Sequence, residues 1–314
     1  MRTLRQCPMP RIYLRLLALL ASLAALLAAY CWWIEPARLA ITEHRVTDPT
    51  QPLSSPVRLL LLTDWHLGRW SRPSVLAAKM QRLLRQHRLT AFDAVLLGGD
   101  YVDTDARYLR HLLPALEVMT RMHVPIFAVP GNHDYSTCGG DLSAVAALLE
   151  GQGVSLLRNE AALLTTTAGE RLLIVGLDDL QQSPVYFRPE VYQSPPDYRN
   201  SASGMDWYAQ FDAAEPGTPR LLISHNPDAV YLPGRRPLVV LSGHTHGGQM
   251  MLLDWLSRPL HRWIHAALPP GSTVTWAGRR EVAGRTLIVS RGIEGSALPL
   301  RLLRSPEAII VTLT

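Results

Sequence analysis

Lysine is almost missing from this chain: Lys79 stands alone among 31 basic residues. The others are arginines, a skew of base composition rather than of function. Arg2, Arg5, Arg11, Arg15 and Arg38 precede residue 41 against Glu35 alone, so most of the formal net charge of +5 sits at the N-terminus. The rest of the chain is nearly neutral, which argues against a basic face for nucleic acid. Cysteine is also sparse, at three. Cys7 and Cys31 lie in or beside an N-terminal apolar segment and Cys138 is alone beyond it, so no disulfide framework holds the main domain. No repeat of fixed period is visible.

What the N-terminus does contain is an uninterrupted apolar run, Leu16 to Ile34, preceded by Arg11 and Arg15. A helix of roughly 20 residues spans the ~30 Å hydrocarbon core of a bilayer. Trp32 and Trp33 end the run where indole rings favour the interface, and the arginines predict a cytoplasmic N-terminus. A retained signal-anchor is the reading that fits best. A cleaved signal peptide meets a poor cleavage context at Tyr30-Cys31-Trp32. Tyr30 also argues against lipid attachment at Cys31, and the arginines argue against a buried core helix. The expected organisation is a cytoplasmic stub and transmembrane anchor over residues 1–40, a linker over 41–56, and a main domain over 57–314. That domain is expected on the extracytoplasmic side of the cell (inner) membrane.

Beyond the linker, apolar runs of strand length recur at Val57–Leu62, Ala94–Leu97, Ile126–Val129, Leu172–Val175, Leu221–Ile223, Leu238–Leu241, Leu287–Val289 and Ala308–Leu313. Continuous runs of this kind mark strands buried on both faces. Helical periodicity fills Pro73 to Arg88, Asp105 to Met122 with Pro114 as a kink, and a stretch capped by Asp141 that ends near Glu150. The pattern predicts an α/β fold: a layered β-sandwich flanked by helices, preceded by one transmembrane helix. Two segments are irregular, Gln181 to Thr218 and the Trp-bearing Asp254 to Arg280, and loops of such length are commonly functional.

Each strand-like run stops at a short polar motif. In order these are Thr63-Asp64-Trp65-His66, Gly98-Gly99-Asp100-Tyr101-Val102-Asp103, Gly131-Asn132-His133-Asp134, Ser224-His225-Asn226 and Gly243-His244-Thr245-His246-Gly247-Gly248. Loops at the carboxyl ends of strands line the crevice of open α/β sheets, so the five motifs would converge. Any one of them alone reads as an ordinary turn. Together they offer carboxylate, amide and imidazole donors for two adjacent dications. Two such cations can hold the attacking and leaving oxygens of an in-line displacement at phosphorus, the chemistry of a phosphoesterase.

In this order the motifs closely resemble those of the calcineurin-like metallophosphoesterase superfamily. The resemblance covers the chain from about Val57 to Thr314. The N-terminal anchor, the Gly-Asn-His-Asp-Tyr variant, the extended Gly-His-Thr-His-Gly-Gly-Gln and the C-terminal Ser-Arg-Gly-Ile look like its membrane-associated bacterial branch, the YkuE/YaeI type. The resemblance implies two divalent cations (Mn, Fe or Zn), one taken by Asp64, His66, Asp100 and His246, the other by Asp100, Asn132, His225 and His244. It implies that a water or hydroxide bridging the metals attacks the phosphorus. It further implies that His133 assists without being a ligand, oriented by Asp103. The implied substrate is a phosphoester, and the anchor suggests a phosphodiester or pyrophosphate of a lipid or nucleotide-linked lipid. Rival readings are a phosphomonoesterase or protein phosphatase and a non-catalytic metal-bound scaffold. Thr104-Asp105 after Asp103 disfavours the protein phosphatase, where Arg-Gly is usual. Glu294, at a position where glycine is usual, is a departure that bears on substrate choice.

Overall fold

A computed structural model describes residues 11–48, 51–87, 92–181, 217–232, 237–249, 277–296 and 298–314. Two six-stranded sheets lie face to face. The first holds β1 (Ala40–Val46), β2 (Val57–Leu62), β3 (Ala94–Leu97), β4 (Ile126–Ala128) and β5 (Ser155–Leu156). The second holds β6 (Glu160–Thr165), β7 (Arg171–Gly176), β8 (Arg220–Ile223), β9 (Val240–Ser242), β10 (Gly278–Val282) and β11 (Arg285–Val289). The last strand, β12 (Glu307–Leu313), returns to the first sheet, giving the orders β1-β12-β2-β3-β4-β5 and β10-β11-β9-β8-β7-β6.

Strand β2 shows why the apolar runs are unbroken. Leu59 and Leu61 face the second sheet, meeting Ile174, Ile223, Leu241 and Ile288. Leu60 and Leu62 face outward onto Leu76, Met80 and Leu116 of the helices. Each of these four leucines is fully buried, and each such burial stabilises the fold by about 1.5–3 kcal/mol. The outer face of the second sheet has its own cluster, with Val175, Leu222 and Val289 against Ala229 and Val230 of a short 3₁₀ segment.

The helices are α1 (Arg11–Ala29), α2 (Pro73–His87), α3 (Leu113–Thr120), α4 (Asn132–Thr137) and α5 (Ser143–Glu150). Pro114 does not kink a longer helix. It sits at the start of α3, where its missing N–H costs nothing, and a 3₁₀ turn over Ala106–Leu112 precedes it. The Asp141 carboxylate accepts the Ser143 amide at the head of α5. No residue of α1 is buried, which removes the core-helix reading of the N-terminal apolar segment. The helix is long and apolar enough to cross a bilayer.

The stretch expected as a linker begins with β1, which pairs in parallel with β12 from Ala40–Glu307 to Val46–Leu313. Its sequence, AITEHRV, is only half apolar because β1 is a sheet edge: Ile41 and Val46 pack against the core while Glu43 and Arg45 are exposed. β6 and β10 escape the pattern for the same reason, each being a sheet edge with exposed side chains. Most of Gln181 to Thr218 and of Asp254 to Arg280 lies outside the described residues.

The role of β1 can be tested by shortening the chain. A protein beginning at Leu39 keeps the β1–β12 pairing, whereas one beginning at Thr47 exposes the β12 edge. The second should be less stable by about 2–5 kcal/mol in urea unfolding, on the burial of Leu39, Ile41 and Val46. Equal midpoints would show that β1 adds nothing.

Candidate metal centre

All five motifs meet at one end of the sandwich, three from the first sheet (after β2, β3 and β4) and two from the second (after β8 and β9). Asp100 lies at the middle. Its Oδ2 is 3.2 Å from His66 Nε2 and 3.1 Å from His225 Nε2, and its Oδ1 accepts the His133 amide at 2.9 Å. Asp64 Oδ1 is 3.6 Å from His246 Nε2 and accepts the His244 amide at 2.8 Å. His244 Nδ1 approaches His225 Nε2 at 3.2 Å. Donor atoms of Asp64, His66 and His246 form one cluster spanning less than 4.8 Å, and those of Asp100, His225 and His244 form another. A third combination, His66, Asp100 and His133, is equally compact.

The histidines are held by bonds on the side away from the centre. His225 Nδ1 faces the Gly98 carbonyl at 2.8 Å, and His246 Nδ1 faces that of Glu294 at 3.2 Å. His66 Nδ1 faces Asp103 Oδ1 at 3.1 Å. With a proton on each Nδ1, the Nε2 lone pairs of all three rings point inward, the arrangement in which an outer hydrogen bond fixes a metal-binding tautomer. Asp103 Oδ1 also meets His133 Nδ1 at 3.0 Å, so one carboxylate oxygen holds two imidazoles.

Backbone geometry is unusual here. Asp64, His66, Asp100, His244 and His246 all have φ between 39° and 71°. Non-glycine residues enter this left-handed region at a cost and cluster where function requires it. Two glycines allow the carboxylates to approach. A Cβ on Gly131 would fall 2.2 Å from Asp100 Oδ1, and one on Gly243 would fall 2.3 Å from Asp64 Oδ2.

The charge balance of these side chains calls for a cation. Burial alone would depress the His66 and His225 pKa values, but Asp100 and its neighbouring carboxylates outweigh it and raise both to about 10. Burial and the Asp100 charge push Asp134 up to about 7. His246 moves the other way, to about 3, through burial with His66 and Arg301 nearby. One buried oxygen of the motif residues, Asn132 Oδ1, finds no hydrogen-bond partner among the described residues. Buried polar atoms are rarely left so, and Asn132 follows Gly131, whose backbone packs against the Asp100 carboxylate. The residues present therefore fit a divalent metal centre.

Asp134 is the residue that sequence reasoning quoted but left without a role. Its two oxygens accept the amides of Asp100, Tyr101, Val102 and Gly131, tying the loop after β3 to the loop after β4. Glu294 has an answer of a different kind. Its carboxylate pairs with the buried Lys79 at 2.6 Å, so the lone lysine and the departure at 294 are one feature. Both were visible in the sequence as oddities, but nothing there joined them.

Similarity to known proteins agrees with this geometry. The profile of the calcineurin-like phosphoesterase family matches residues 57–248, and the chain belongs to that family. It is 27% identical over 290 residues to the phosphodiesterase YaeI of Escherichia coli, covering 90% of this chain and 92% of that one. It is 26% identical over 292 residues to the uncharacterised metallophosphoesterase YkuE of Bacillus subtilis, covering 90% and 88%. A bovine transmembrane protein with a metallophosphoesterase domain is 28% identical over 260 residues, 80% of this chain but 51% of the bovine protein. The chain thus spans about half the length of that relative. Family and relatives make it a phosphoester hydrolase with clustered metal-binding residues.

Metal loading should displace protons. His66 and His225, raised from 6.5 to about 10, hold protons at pH 7 in the metal-free protein, and a cation takes their place. The stability those protons confer is full below pH 6.5 and is lost as pH approaches 10. Titrating Mn²⁺ calorimetrically in buffers of different ionisation enthalpy should therefore show proton release, with affinity rising with pH. A heat independent of buffer would contradict this protonation state.

Proposed function

We propose that this protein is a dinuclear-metal phosphodiesterase acting on a phosphodiester or pyrophosphate of a lipid or nucleotide-linked lipid, held at the membrane by α1. In this reading one cation, Mn, Fe or Zn, is held by Asp64, His66, Asp100 and His246. The other is held by Asp100, Asn132, His225 and His244. The observation that carries it is the position of Asp100 Oδ2, 3.2 Å from one Nε2 and 3.1 Å from another on opposite clusters. A carboxylate so placed would be available to both donor clusters, so Asp100 would help to hold each cation. When bound, the cations supply Lewis acidity to a phosphoryl group and an activated water at neutral pH.

The chain's own residues do the rest. The Gly98 and Glu294 carbonyls and Asp103 hold three imidazoles with their lone pairs inward. Burial would raise the Asp103 carboxyl, but His133 and His66 hold it well below the usual carboxylate range. It therefore stays ionised at neutral pH and holds the His133 ring by its Nδ1 at 3.0 Å. That ring is about one-third exposed, which lets it meet a substrate oxygen as a donor. His133 is then suited to protonate the leaving oxygen or to stabilise the charge that develops on it. A partner relationship with a lipid draws support from α1 and from the bovine relative named as a transmembrane protein. The signal-anchor orientation would put this end of the chain on the extracytoplasmic side.

The full chain in detergent with Mn²⁺ should hydrolyse bis-p-nitrophenyl phosphate faster than p-nitrophenyl phosphate. Asp100→Asn, which weakens both clusters, should abolish that turnover. A strong preference for the monoester would reassign the protein as a phosphomonoesterase, and inactivity in a metal-loaded, folded protein would favour the scaffold.

His133→Ala should lower kcat by about 10²–10⁴-fold, the range for a general acid, and leave two metals bound. Asp103→Asn should lower both kcat and metal content, because it releases His66 as well as His133. Loss of metal from His133→Ala would instead make His133 a ligand.

A further inference from the structure

Outside α1, the large apolar side chains that remain exposed among the described residues are Trp33, Ile34, Trp70, Leu163, Leu298 and Leu303. All but Leu163 lie around the base of α1. Trp33 and Ile34 continue that helix. The Trp32 ring meets Trp70 edge-on at 5.4 Å. Leu298 lines the same cavity as Trp70. Leu303 follows two residues after Arg301, whose amide donates to the Cys31 carbonyl at 3.1 Å.

The base of α1 is seated on the main domain. Cys31 and Glu35 are buried, and the Glu35 carboxylate accepts hydrogen bonds from Tyr30 and, at 2.6 Å, from Ser305. The helix therefore leaves the domain beside a cavity of about 300 Å³. Trp70, Leu298 and Pro299 form one wall of that cavity, and His66 and Asp103 line it as well. Two arginines flank the apolar rim: Arg69 lies over the Trp70 ring at 5.3 Å, and Arg38 donates to the Tyr30 hydroxyl at 3.3 Å.

Single exposed apolar residues are ordinary on a protein surface, whereas a group of them around one feature marks an interaction site. Continuity with an apolar helix selects the partner. Indole rings settle at the level of lipid headgroups, and arginines beside them reach anionic phosphates while their stems stay apolar.

We propose that the rim formed by Trp33, Ile34, Trp70, Leu298 and Leu303 rests in the interfacial layer of the bilayer that α1 enters, so that the cavity beside His66 opens onto the headgroups. This rests on the proposed membrane insertion of α1. The rim adds a second contact to the anchor and fixes the orientation of the metal centre towards the membrane. A lipid phosphoester would then reach the centre from the headgroup layer without leaving the bilayer.

The test uses the full chain with Cys7→Ser, Cys31→Ala and Cys138→Ser, in vesicles of phosphatidylethanolamine and phosphatidylglycerol. Spin labels are placed through Leu298→Cys and Leu303→Cys, with Leu163→Cys on β6 as the reference. Vesicle flotation reports insertion of α1 separately from the label data. Labels at 298 and 303 should collide severalfold more with oxygen, relative to a water-soluble nickel complex, than the label at 163. Labels at 298 and 303 that match 163 in a protein floating with the vesicles would overturn the inference alone. Failure to float would overturn the insertion of α1, and the inference with it.

Discussion

The structure depends on burying several carboxylates together and then leaving them incompletely neutralised. Asp64, Asp100 and Asp134 are essentially inaccessible, and Asp103 joins them at the cavity edge. Removing a carboxylate from water costs several kcal/mol unless charge or hydrogen bonds offset it. Asp134 is offset by four backbone amides. Asp100 receives one amide and two imidazoles, and Asp64 one amide and the Thr63 hydroxyl, with two more distant imidazoles. The charge of the carboxylates acts on the histidines, which is why His66 and His225 are raised to about 10 despite burial. A pair of dications would satisfy the same atoms without protons. The centre is therefore organised around charge that the protein itself does not supply.

Holding these groups together requires a backbone that ordinary strands and helices cannot provide. The parallel strands β2, β3 and β4 deliver their loops side by side, but each side chain must still turn back over the sheet edge. Left-handed φ at five donor residues makes that turn, and at Asp64, His66 and Asp100 backbone bonds hold the turn in place. The amides of Trp65 and His66 both donate to the Asp100 carbonyl, that of Asp64 donates to Gly99, and that of Glu294 donates to Asp64. Strain of this sort persists only where surrounding contacts over-determine it. The site and the stability of its end of the sandwich are accordingly the same set of interactions.

The sequence was legible wherever burial was complete. Strands β2, β3, β8 and β12 read directly because both faces are covered, and the five motifs read directly because each begins where such a run ends. Edge strands β1, β6 and β10 did not, since a half-exposed strand carrying Thr, Glu and Arg has no pattern to separate it from a loop. The candidate donors were recognisable as residue types in order. What was not recognisable is which atoms hold them: the Gly98 and Glu294 carbonyls are backbone groups that any residue supplies. The double use of Asp103 was also hidden, because it needs His66 and His133 on the same side of one carboxylate, a relation fixed only by the packing of three loops. Lys79 and Glu294 lie more than two hundred residues apart and reveal their pairing only in space.

That pairing bears on how the anchor and the centre are joined. The segment from Arg291 to Ser305 touches both. At one end, the Glu294 carbonyl receives His246 and the Glu294 side chain holds Lys79. At the other, Ser305 bonds Glu35 at the foot of α1. Between them the fully buried Arg301 donates to the carbonyls of Arg291 at 2.8 Å, Glu294 at 2.6 Å and Arg304 at 3.1 Å, while its amide reaches Cys31. A guanidinium holds its donors in a rigid planar fork and so fixes the three carbonyls relative to one another, whereas the three donors of an ammonium rotate. Glycine in place of Glu294 would keep the carbonyl for His246 but leave Lys79 buried without its partner, a loss that costs about 3–5 kcal/mol. The carboxylate at this position therefore belongs with the lysine. Together with Arg301 they make a continuous packed path from the foot of the apolar helix to a histidine of the centre. A short path of charged hydrogen bonds resists bending, so the distance from the base of α1 to the centre is set by the fold rather than by a tether.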